Sequence, residues 1–114
     1  MAYIRDFSGM IVYQCDEKYI KNFSGSILYR IENNDVRDFS GSIIYRIDGN
    51  TIKSFSGSIL YKFDGRYLKD FYGRIIYIFE YNQIRDFSGR IKYRIDGNIT
   101  FNALATFFAI SIKD

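Results

Sequence analysis

The residues able to do chemistry in this 114-residue chain are mostly carboxylates and bases that recur at fixed intervals. Paired carboxylates serve as general acid and base in hydrolytic enzymes. Here Asp16, Glu32, Asp48, Asp64, Glu80 and Asp96 come once every 16 residues, inside turn sequences. A catalytic acid does not come in six equivalent copies, whereas a turn residue does. Asp48-Gly49-Asn50 echoes part of a calcium loop, but the other ligands and the bidentate Glu are missing. No histidine is present, so the commonest general base and metal ligand is absent. Cys15 is the single cysteine; no intrachain disulfide can form, and nothing nearby activates a thiolate. No catalytic constellation and no cofactor or metal site is therefore expected.

The bases form ladders. Arg5, Lys21, Arg37, Lys53, Lys69 and Arg85 are equivalent in the repeat, and Arg30, Arg46, Lys62 and Arg94 follow on the neighbouring segment. The structural reading lays their aliphatic stems over a row of Val and Ile with the charges in water. The functional reading is a cationic face for an acidic partner or a nucleic-acid backbone. Interspersed carboxylates favour the first. A net charge of +3, from 16 basic and 13 acidic residues, also argues against nucleic acid as a partner.

These ladders belong to six tandem 16-residue units with no insertion. The first position is Ile4, Ile20, Val36, Ile52, Leu68 and Ile84. The fourth is always Phe, the sixth Gly, the eighth Ile and the tenth Tyr. Each unit holds two turn signals. In Asp38-Phe39-Ser40-Gly41 the Asp accepts a backbone N–H and the Gly takes a positive φ. Asp48-Gly49-Asn50 is a hairpin signal. Only strands of about 4–6 residues fit between the turns. An Asp-Gly loop is preferred, with Tyr45 opposite Ile52, because a Gly-Asn loop would set two basic positions face to face. The expected core face holds the eighth, tenth, twelfth and first positions; the other holds the basic second and eleventh and the aliphatic ninth. The invariant Tyr and Phe are expected in stacked tiers near the centre.

Twelve short strands in an open meander would leave exposed edges. Fixed repetition points to an all-β ring of six hairpins, flower-like or propeller-like, over residues 3–98. The unit Ile-Arg-Asp-Phe-Ser-Gly-x-Ile-x-Tyr-x-Ile-Asp-Gly-Asn resembles the repeats of the bacterial four-fold β-flower proteins. The resemblance covers nearly the whole chain and implies hairpins radiating from a centre, with no known enzymatic activity. Six units instead of four is a departure from that family.

Residues 99–114 break the period and, as a helix from near Asn102, would be apolar nearly all round. The first reading is a buried cap or plug over one end of the repeat array. A homodimer contact comes second, and a membrane-surface anchor last. The fifth unit is deviant: Tyr72, Arg74, Ile78 and Tyr81 replace the usual residues, with Tyr67 nearby. The plain reading docks the C-terminal segment on this patch; the functional one makes it a partner site. The stretch Met1–Met10 does not read as a signal peptide, and no apolar run approaches the ~18 residues of a spanning helix. A cytoplasmic location is expected. The resulting expectation is a non-enzymatic scaffold that acts as a protein-interaction module. The alternative is a small-ligand or glycan binder with equivalent pockets between hairpins.

Overall fold

The structure is a computed structural model that describes residues 1–113, with Lys113 as backbone alone. Twelve short antiparallel strands follow one another along the chain. They are β1 (Ala2–Asp6), β2 (Ile11–Cys15), β3 (Tyr19–Asn22), β4 (Ile27–Glu32), β5 (Asp35–Asp38) and β6 (Ile43–Asp48). The second half repeats the pattern with β7 (Thr51–Ser54), β8 (Ile59–Phe63), β9 (Tyr67–Asp70), β10 (Ile75–Glu80), β11 (Gln83–Asp86) and β12 (Ile91–Gly97). Each strand pairs with its sequence neighbours, and β1 pairs with β12 to close a barrel. Closure removes the edges that an open twelve-stranded meander would expose. The expected all-β ring of six hairpins is thus a closed barrel.

The lumen is filled by one helix, α1 (Phe101–Lys113). Thr100 caps it, accepting the Ala103 N–H on Oγ1 at 3.1 Å. Residues 103–110 are buried on every side, including Thr106, whose hydroxyl donates to the Asn102 carbonyl at 2.7 Å. Phe107 meets Tyr13 and Tyr93, and Phe108 meets Phe63 and Tyr77, at centroid distances of 5.0–5.7 Å. These partners sit on β2, β12, β8 and β10, so the helix is ringed by the barrel wall. A helix apolar all round has nowhere else to go. The reading of residues 99–114 as a buried cap or plug matches this, but the helix fills the lumen instead of covering one end; Asp114 lies outside the described residues. Residues buried in the lumen have no face left for a dimer or a membrane surface.

Three expectations need correction. The hairpin loop is Gly49-Asn50, not Asp48-Gly49: Tyr45 faces Ser54, Ile47 faces Ile52 and Asp48 faces Thr51. The two registers differ by two residues, so both keep the same side chains inside, and the apolar pattern cannot choose between them. Turn chemistry chooses, since Gly49 sits at φ 59°. The like-charge pairs this creates are real: Arg30 faces Arg37, Arg46 faces Lys53 and Lys62 faces Lys69. Carboxylates two residues along on the same face relieve them. Glu32 lies 2.6 Å from Arg30 and 3.9 Å from Arg37; Asp48 lies 3.0 Å from Lys53.

The second correction concerns the wall. Each second strand is bulged, as where Ile4 faces Tyr13 but Arg5 faces Ile11. The extra residue is the ninth position, and it packs inward with the tenth: Val12, Ile44, Leu60 and Ile76 all lie against the core. The eighth position turns outward beside the basic second, and Ile27 is 48% exposed. The core is therefore built from the first, ninth, tenth and twelfth positions, and the basic stems flank the eighth position and not the ninth.

The third correction is the largest. The six repeat phenylalanines are not in the centre; all six are exposed, by 63–87%. The centre belongs to the tyrosines and to the helix's Phe107 and Phe108.

Candidate functional site

The exposed phenylalanines share one rim of the barrel, each at the second residue of its turn. In the first unit Asp6 Oδ1 accepts the Ser8 N–H at 2.9 Å, the Ser8 hydroxyl at 2.6 Å and the Met10 N–H at 3.1 Å. The Gly9 N–H closes the turn on the Asp6 carbonyl at 3.0 Å. The same bonds recur at Asp38 and Asp86, and at Asn22 in neutral form. The serine hydroxyl is the main force holding Asp6, Asp38 and Asp86 below the usual carboxylate range, with turn N–H groups adding to it. At Asp70 the Arg74 N–H leads. The polar groups of the turn satisfy one another and leave the phenyl ring pointing at solvent. The packing places no demand on an aromatic there, since this turn position accepts most residues.

The cationic candidates brace this rim. Arg5, Arg37 and Arg85 donate from Nη1 to the Gly9, Gly41 and Gly89 carbonyls at 2.8, 2.7 and 3.0 Å. Lys53 pairs with Asp48 instead. Lys21 lies 5.9 Å over the Tyr19 ring, and Lys69 faces Lys62 across the ladder. The six residues ring the outer wall just below the phenylalanines.

The fifth-unit candidates are not one patch. Tyr72 and Arg74 belong to the rim, where Phe71 meets Tyr72 at 5.0 Å and Arg74 covers Tyr72 at 5.7 Å. Tyr67 and Ile78 face each other on the outer wall. Tyr81 is at the far end of β10, 92% exposed and held at φ 53°. The helix does not dock on any of them, because it is inside the barrel.

Among the described residues, repeat-related clefts open between hairpins at the rim. One is lined by Val12, Tyr13, Asn22 and Phe23, a second by Ile44, Tyr45, Ser54 and Phe55, and a third by Ile76, Tyr77, Asp86 and Phe87. Burial pushes the Tyr61 and Tyr77 hydroxyls up, with nearby Asp70 adding to it at Tyr61 and Tyr93 at Tyr77. Another cleft opens at the opposite mouth beside Phe101, but its Arg30 and Glu32 are already paired at 2.6 Å.

Nucleophilic and metal chemistry finds little footing. Burial first, and Asp16 second, push the Cys15 thiol up to about 12, which leaves it a poor nucleophile. No group of metal-ligating side chains occurs among the described residues. Among those residues no helix is long and apolar enough to cross a membrane. The barrel wall carries Arg and Lys outward and apolar side chains inward, the inverse of a lipid-embedded barrel.

Sequence reasoning missed the rim because it took six identical aromatics for core. One signal was available: the phenylalanine lies inside an Asx-type turn, and turn tips face solvent. No family model matches the chain, and neither a curated protein nor a solved structure matches it.

Proposed function

We propose that the protein is a non-enzymatic binding scaffold whose working surface is the phenylalanine rim. One observation carries this reading: six phenylalanines, equivalent in the repeat, are 63–87% exposed at turn tips where folding asks for no aromatic. Large apolar side chains gathered at one end of a molecule mark that end as an interaction surface. The helix-filled barrel is the rigid mount, and the rim is what it presents. The carboxylates support a binding reading over catalysis, because each rim aspartate is engaged by its own turn. A buried, unpaired Cys15 suits a cytoplasmic setting. The likeness to β-flower repeats, and with it a bacterial origin, rests on the repeat motif alone.

The test is site-specific photo-crosslinking in cells, with the crosslinking residue at position 39 or 87 and, as control, at position 81. Adducts at 39 and 87 with none at 81 are expected. Adducts confined to 81 would overturn the reading. The rim clefts favour a second reading, in which a small ligand or glycan lies between hairpins against the tyrosines. Titration with oligosaccharides would then shift the NMR signals of Tyr13, Tyr61 and Tyr77, while leaving Tyr81 unmoved.

A further inference from the structure

We infer that the phenylalanine rim docks on an anionic lipid bilayer, an inference that rests on the rim being the working surface. Four observations point to lipid. The first is charge. The rim and the strand level behind it, where Arg30 faces Arg37, Arg46 faces Lys53, Lys62 faces Lys69 and Arg94 faces Arg5, hold thirteen bases against only Asp6, Asp38, Asp70 and Asp86. Among the described residues the opposite end holds eight carboxylates against Lys18 and Arg66. Asp96 pairs with Arg5 at 2.6 Å and Asp48 with Lys53 at 3.0 Å, but the bases behind the rim outnumber such pairs. One end therefore faces an anionic surface and the other is turned away from it. Phosphate headgroups of a cytoplasmic leaflet are such a surface.

The second observation is how the rings stand. Among the described residues, Phe71 is the only rim phenylalanine within a ring pair, and its partner is the exposed Tyr72 of the same turn. Isolated rings spaced around a body 35 × 33 × 22 Å across would need six matched pockets on a protein partner. The boundary between headgroups and acyl chains needs none, and it receives apolar side chains to a depth of about 5–10 Å.

The third is desolvation. Gly N–H to Asp C=O bonds and the Asp Oδ1 network already satisfy the turn backbone. Lowering these tips into a medium poor in water therefore breaks few hydrogen bonds. The rim aspartates keep their charge, but each is surrounded by two or three donors of its own turn.

The fourth is the pairing of apolar and cationic groups. The phenyls project beyond the turns, and the bases lie two residues before them in each unit, at the level that headgroup phosphates would occupy. Neither group alone gives firm attachment; together they supply the two signals that stable anchoring takes.

The test is co-sedimentation of the full chain with large unilamellar vesicles, either pure phosphatidylcholine or one-third phosphatidylglycerol, at low and high salt. The wild type is expected to sediment with the phosphatidylglycerol vesicles, and less so at high salt. Phe7→Ser/Phe39→Ser/Phe71→Ser should weaken the association by at least about 100-fold, at roughly tenfold per ring withdrawn. Tyr81→Ser, on the far end, should leave it unchanged, and thermal melting checks that both variants fold. A wild type that ignores phosphatidylglycerol vesicles would overturn the inference, as would a triple variant that binds them equally. If vesicles fail while position 39 still crosslinks to a protein, the lipid inference falls and the rim reading stands. If both fail, both fall.

Discussion

Two phenylalanines of this chain should respond oppositely to the same substitution. Phe108 is fully buried and touches the rings of Phe63, Tyr77 and Phe107. Phe39 is 87% exposed. Burying a phenylalanine removes roughly 150–250 Å² from water. At about 25 cal/mol per Å², most of that burial is worth about 3–5 kcal/mol, which is also the usual cost of Phe→Ala in a core. The four-stranded ring of contacts around the helix cannot collapse onto an alanine, because the closed barrel fixes the lumen width. A domain of this length has about 6–17 kcal/mol to lose. Phe108→Ala should therefore lower the melting temperature by about 12–20 °C, taking about 4 °C per kcal/mol. Phe39→Ala should stay within about 0.5 kcal/mol of wild type. Thermal and urea denaturation followed by circular dichroism measure both. Equal destabilisation by the two substitutions would refute the division between lumen and rim.

Other consequences follow from particular residues. Tyr81 holds a left-handed backbone conformation that costs a side chain about 1–2 kcal/mol; Tyr81→Gly should raise stability by about 1 kcal/mol in the same denaturation assay. Gly97 is at φ 94° on the β1–β12 seam, and a Cβ there would collide with the Met1 carbonyl. Gly97→Ala should consequently destabilise the barrel by about 2 kcal/mol or more, with hydrogen exchange rising first on β1 and β12. The rim carboxyls titrate below their ordinary range when folded, so the unfolded chain takes up protons first as pH falls. Their stabilisation is present above about pH 4 and is lost as pH drops through the lower folded values. Replacing Asp6, Asp38, Asp70 and Asp86 together by Asn, the residue already at position 22, should flatten melting temperature against pH between 4 and 2.

The architecture was largely legible in the repeat. The 16-residue period and paired turn signals specified twelve short strands, and the apolar tail specified a buried segment without deciding between helix and strand. The register was not legible, because a shift of two residues preserves every inside–outside assignment. Repulsion between Arg46 and Lys53 points to the other register, but Asp48 and solvent largely cancel it. Gly49 decided it. The bulge was equally hidden: alternation alone puts Ile11 inside and Val12 outside, and one extra residue reverses both. The site was missed for a related reason. Identical aromatics suggest core, and the departures of the fifth unit at Tyr72 and Tyr81 stand out in the sequence more than six repeated tips do.

The most direct measurement replaces all six rim phenylalanines (Phe7, Phe23, Phe39, Phe55, Phe71 and Phe87) by serine and follows thermal unfolding by circular dichroism. If these rings exist for binding and not for folding, the variant keeps a cooperative transition within a few degrees of wild type. A variant that loses its cooperative fold would contradict the account.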